Sequence, residues 1–227
     1  MLRKLLASLG ILTSIAGAAA APPYSPYKSD AANTIYNLLF CDDPTGFVAK
    51  STGKLTAWQL ALASNPVDVL ALEALANDAK QEGRVRYLAF QRLRTSGREV
   101  PQKLVLGVIV EVPLSGGLDA LAAYSEGGVR YVNQSGKLVV ADDVPSFQPL
   151  VAALFTAAQP VVAKIGAWSE PRRAPPALGN IRMTFLVSDG LYFGEGPMAL
   201  MQQEPLAAPV IKRATELLQA VVAAGTK

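Results

Sequence analysis

The tetrapeptide Ser51-Thr52-Gly53-Lys54 fits the S-x-x-K pattern, in which a lysine one helical turn after a serine takes its proton and frees it to attack an acyl group. Ser188-Asp189-Gly190 loosely echoes the second box of the same enzymes. That chemistry needs the serine at the start of a helix. Gly53 interrupts the spacing, and no K-T-G strand follows Ser188, the nearest text being Gly225-Thr226-Lys227. The expectation is a loop at 51–54 and no catalytic residue. A serine hydrolase acting on cell-wall or acyl substrates through Ser51 and Lys54 is the alternative.

The remaining acid–base chemistry is thin. Asp42 with Asp43 and Asp142 with Asp143 are adjacent pairs in turn-like contexts, and neighbours on an extended chain point apart instead of sharing a proton. Glu111 interrupts an apolar strand; a strand-end or edge position facing solvent is expected, against a buried acid of raised pKa. The sequence contains no histidine, which excludes Ser-His-Asp catalysis, His-ligated metals and histidine pH switches. A single cysteine, Cys41, excludes an intramolecular disulfide, and its place after the apolar run Ile35–Phe40 predicts a buried thiol. No dinucleotide-binding, Walker, EF-hand or haem-attachment signature is present, so no cofactor and no metal are expected.

Charge is concentrated in one place. Between 80 and 103 lie Lys80, Arg84, Arg86, Arg92, Arg94, Arg98 and Lys103 against only Glu82 and Glu99. A solvated helix face is the simpler account. The functional one is a surface for an anionic envelope component or an acidic protein, not nucleic acid, which Arg172 and Arg173 could extend. A second concentration is the Gly-rich turns at 125–128 and 188–196, beside Tyr124, Arg130, Tyr131, Asp189, Tyr192 and Glu195. Tight turns need glycine for positive φ, and turns carrying aromatics can also hold a ligand. The binding residues these features single out are Arg84, Arg92, Arg94, Arg98, Arg130, Tyr131, Asp189 and Tyr192.

The first residues say where these groups would work. Arg3 and Lys4, the apolar run Leu5–Ile15 and the small residues Ala16–Ala21 read as a secretory signal peptide over 1–20, cleaved near Ala18 to Ala21. Its removal lowers the formal charge from +3 to +1, and a periplasmic or secreted protein with no transmembrane segment after cleavage is expected. Residues 21–103 read as a helical region: Ser29 or Asp30 through Phe40, Thr56–Ala63, then a hairpin of Val67–Lys80, started by Asn65-Pro66, and Arg84–Thr95, ended by Gly97. Residues 104–227 read as a sheet region packed with the former into one unit. Its strands are Leu104–Val112, Leu118–Tyr124, Val129–Asn133, Lys137–Ala141, Ile181–Val187 and Leu191–Phe193. A helix over 151–165, kinked or split by Pro160, falls between the fourth and fifth strands, and another starts near Ala208. An antiparallel meander plus hairpin with helices on one face follows, an α+β fold.

That order resembles the profilin-like and roadblock-like sandwiches, which implies a small scaffold or sensor domain. The segments GVIVEVPLSGGLDALAAYSEGGVRYVNQSGK (107–137) and NIRMTFLVSDGLYFGEGP (180–197) resemble those of a group of exported Gram-negative proteins of unknown function. The resemblance implies export and transfers no catalytic residue. The reading is an exported, non-catalytic binding or envelope-associated protein, with the hydrolase and a small-molecule sensor as alternatives.

Overall fold

The computed structural model of the protein describes residues 23–44, 47 and 54–225. The expected signal segment and Ser51 lie outside the described residues.

Local capping chemistry sets the helical region. In α1 (Asp30–Leu38) the Ser29 side chain accepts from the Ala32 N–H, and in α2 (Ala57–Ala63) Thr56 and Gln59 form a reciprocal capping box. α3 (Val69–Asn77) starts later than expected. Asp68, whose side chain accepts from the Ala71 N–H, is the cap, while the cis Asn65–Pro66 bond lies outside the helix. α4 (Gly83–Thr95) ends as its glycine predicts: Gly97 takes φ +77°, its N–H donates to Arg94 O and the Arg98 N–H donates to Leu93 O. Those two bonds are a Schellman motif. α3 and α4 pack against each other as the expected hairpin.

The strands β1 (Val105–Leu114), β2 (Gly117–Tyr124), β3 (Val129–Val132), β4 (Leu138–Ala141), β5 (Asn180–Val187) and β6 (Gly190–Pro197) form one antiparallel sheet in the order β4-β3-β2-β1-β5-β6. The long apolar run therefore becomes an interior strand, pairing β2 on one side and β5 on the other. Helix α5 (Gln148–Lys164) follows β4 and is continuous through Pro160 instead of split. Proline removes one ladder bond, while buried Val161 and Val162 hold the next turn in the core. The short α6 (Met198–Met201) leads to α7 (Ala207–Gly225), where the Glu204 carboxylate accepts from the Leu206 and Ala207 N–H groups.

The fold is α+β, with α5 and α7 packed on one face of the sheet against Val108, Val110, Leu121 and Phe185. The N-terminal helices cover the other face, where Tyr36, Leu72, Leu88 and Phe90 join Leu106, Ile109, Ala122 and Leu186 in a single core. Among the described residues no helix is long and apolar enough to cross a membrane.

Candidate functional site

Beyond α5 the chain passes the outer edge of β6, where the Trp168 N–H donates to Leu191 O at 2.7 Å, and then turns toward α1. Between this return segment, the β5–β6 turn and α4 lies a cleft of about 330 Å³. Its walls carry Asp42 from the loop after α1, Tyr87, Gln91 and Arg94 from α4, Trp168, Glu170 and Arg172 from the return segment, and Asp189 from the turn. Positions 87, 91 and 94 follow helical i, i+4, i+7 spacing, so one stripe of α4 faces the cleft.

Arg172 fixes the inner wall, with its side chain only 1% exposed. Its Nε and Nη2 lie 2.8 and 2.6 Å from Asp42 Oδ2, Nη2 also donates to Asn37 Oδ1 at 3.1 Å, and Nη1 donates to the Tyr36 hydroxyl at 3.4 Å. The guanidinium lies 3.9 Å from the Phe40 ring centre, within cation–π range. The Tyr36 hydroxyl in turn donates to Glu111 Oε1 at 2.6 Å, Arg182 Nη1 stands 3.8 Å from Glu111 Oε2, and Arg182 clamps Glu195 at 2.7 Å. A polar chain of alternating charge thus runs from the cleft through the core.

Glu111 overturns the expectation of a solvent-facing acid. It is 0% exposed, because β1 is flanked by two strands and the side chain points into the α1 layer. Burial pushes its pKa up, against the Tyr36 hydrogen bond and Arg182, which pull it down. Burial likewise raises Asp42 despite Arg172. Asp42 is therefore an ion-pair partner as well as a turn residue, and Asp142 is the same for Arg130 at 2.7 Å.

The basic segment is not a solvated face. Arg86 Nε donates to Ala76 O at 2.9 Å, Arg92 Nη2 to Ser64 O at 2.8 Å, Arg94 Nη1 to Ser188 O, and Lys103 Nζ to Ala163 O at 2.7 Å. Each acceptor sits at or beside the end of an element, where carbonyls lack a ladder partner. Arg84 pairs with Glu82 and stacks 5.1 Å from the Tyr124 ring centre. Only Arg98 among these arginines is well exposed, its side chain at 55% and 3.6 Å from Glu73.

Of the residues singled out in the sequence, the fold brings Arg94 and Asp189 into the cleft, with Tyr192 behind them donating to Asp189 Oδ2 at 2.8 Å. Burial and that bond push the Tyr192 hydroxyl up to about 12. Arg84, Arg92, Arg98 and Arg130 are bound elsewhere. Tyr131, raised to about 12 by burial and Asp119, lies on the opposite face and lines a crevice of about 100 Å³ against α7. Ser188 is buried and used structurally, its hydroxyl donating to Pro101 O at 2.5 Å and accepting from the Leu104 N–H. Lys54 is exposed. Cys41 is buried, as expected, and burial pushes its thiol far up. Among the described residues no group of His, Cys, Asp and Glu is arranged to hold a metal ion.

Sequence reasoning missed Gln91, Tyr87 and Trp168. The i, i+4, i+7 stripe was there to find the first two, whereas the place of Trp168 depends on a return segment whose course no local pattern sets. Compared with family models, curated proteins and solved structures, the chain matches none.

Proposed function

We propose that this is an exported, non-catalytic binding protein that takes a small polar molecule in the cleft between α4, the β5–β6 turn and the 167–172 segment. One observation carries the reading: the polar walls of a cleft of about 330 Å³ are held from behind by partners inside the fold. Arg94 is anchored on Ser188 O and Arg172 on Asp42, Asn37 and Tyr36, which is the support a preorganised site needs. A partner gathered by α4 from the anionic envelope is less favoured, since all four of its arginines are engaged internally. Export rests on the residues Arg3 to Ala21.

The test uses Trp168, which lines the cleft, as a reporter in a Trp58→Phe variant. A panel of sugars, amino acids, dicarboxylates and polyamines should contain a compound that changes its emission saturably and raises the melting temperature. An acylating active-site probe should leave the protein unlabelled. Label that disappears in Ser51→Ala, or silence across the whole panel, would overturn the assignment.

A further inference from the structure

We infer that the outer edge of β4 is a docking surface for a second copy of this chain, which adds its own β4 antiparallel about a two-fold axis and doubles the six-stranded sheet.

The two edges of the sheet are finished differently. At β6 the Trp168 N–H donates to Leu191 O, so the return segment covers that edge. At the other end β4 pairs only with β3. The Tyr124 N–H donates to Gly128 O, which by alternation turns the amides of Arg130 and Val132 toward β2 and those of Val129 and Tyr131 toward β4. Their partners Val139 and Ala141 face back to β3. The N–H and C=O groups of Leu138 and Val140 therefore point outward, and among the described residues nothing takes them up. Such an edge is a template for another strand.

The side chains and charges say which strand fits. Val139 and Ala141 pack against the core on the α7 side of the sheet, whereas Leu138 and Val140 lie on the opposite face, 37% and 53% exposed. The segment starts at exposed Lys137 and ends at Asp142-Asp143, so it carries opposite charge at its two ends. Two-fold antiparallel pairing sets the basic end of each copy against the acidic end of the other, and parallel pairing would set like against like. Register follows from the apolar residues. With Leu138 opposite the partner's Val140, outward amides meet outward amides and apolar meets apolar twice. One step along, Leu138 would face the partner's Asp142. Because β4 has only four residues, the contact is small and the dimer reversible.

Sedimentation velocity over a concentration series should show a monomer–dimer equilibrium that weakens as salt rises, because the attraction between the charged ends is screened. Val140→Lys, on an exposed side chain, should keep the wild-type circular dichroism. It should raise the dimer dissociation constant about tenfold or more, since the two-fold axis repeats the loss of the Leu138–Val140 pair. Lys137→Glu should also weaken the dimer and reverse its salt dependence. Val139→Cys reads the register: the two-fold axis sets position 139 opposite its own copy at a non-hydrogen-bonded spacing of about 4.5 Å between Cα atoms, within disulfide reach. Mild oxidation should link this variant into dimers, with the buried Cys41 taking no part, and should leave Leu200→Cys, exposed beyond β6, unlinked. A chain that stays monomeric up to its solubility limit overturns the inference. So does a dimer that survives Val140→Lys undiminished or fails to link through Val139→Cys, since it then uses another surface.

Discussion

Replacing Arg172 by methionine tests whether the polar chain behind the cleft holds the fold. The Arg172 side chain is 1% exposed and its partner Asp42 15%. Methionine keeps contact with the Phe40 ring but leaves Asp42 largely buried without a counter-charge. The other acceptors are not orphaned, because Asn37 Oδ1 still receives the Tyr24 N–H at 2.9 Å and the Tyr36 hydroxyl still donates to Glu111. The loss is thus that of one broken buried pair, about 3–5 kcal/mol. In a chain of this size each kcal/mol lowers the melting temperature by about 2–4 °C, which gives a drop of about 6–20 °C. Urea unfolding should show a lower midpoint at unchanged slope.

Two further properties separate this account from simple loss of packing. Adding Asp42→Asn to Arg172→Met removes the stranded charge and should restore part of the stability, about 2 kcal/mol. The penalty in the single variant should also shrink as pH falls, because an Asp42 carboxyl already raised by burial climbs further and takes up a proton in the folded state. A loss below about 1 kcal/mol would class the pair with surface salt bridges and refute the reasoning. So would a double variant less stable than the single.

Glu111→Gln should flatten the pH dependence of stability. Burial raises the Glu111 pKa among Tyr36, Arg172, Arg182 and Glu195, so the folded state keeps its proton longer than the unfolded chain and wild-type stability falls as pH climbs from the ordinary glutamate value toward the raised one. Glutamine still accepts from Tyr36 and removes the Glu111 share of that decline, leaving those of Asp42 and Glu126, which burial also raises; coincident pH–melting curves for variant and wild type would refute this. Gly83→Ala should prevent or severely weaken folding, since a Cβ there would stand 2.2 Å from Leu106 O where α4 meets β1; circular dichroism of the purified variant decides it. Reversing Arg92, Arg94 and Arg98 together to Glu should unfold the chain, whereas Arg98→Glu alone should change stability by no more than about 0.5 kcal/mol. A stable triple variant in thermal melts would return these arginines to the surface.

The elements that were legible in the sequence are those set by their neighbours in the chain. Ser29 caps α1, Gly97 ends α4, and the alternation Ile181, Met183, Phe185, Val187 makes the buried face of β5, each a matter of a few adjacent residues. The site was only partly legible, because its charges are placed by distant partners: Tyr36 and Glu111 are 75 positions apart, Arg94 and Ser188 94, Arg172 and Asp42 130. The arginines of α4 were the misreading with a visible remedy. Val85, Tyr87, Leu88, Ala89, Phe90 and Leu93 leave no broad polar face on that helix, and a helix that is apolar most of the way round belongs in a core. Arginines on such a helix must lay their stems over apolar surface and send their guanidiniums to whatever acceptors the interior offers. Here the acceptors are the carbonyls ending α2, α3 and β5. The residues that looked like a surface for catching a partner instead lock the surrounding elements onto α4, and that rigidity keeps Tyr87, Gln91 and Arg94 in place as one wall of the cleft.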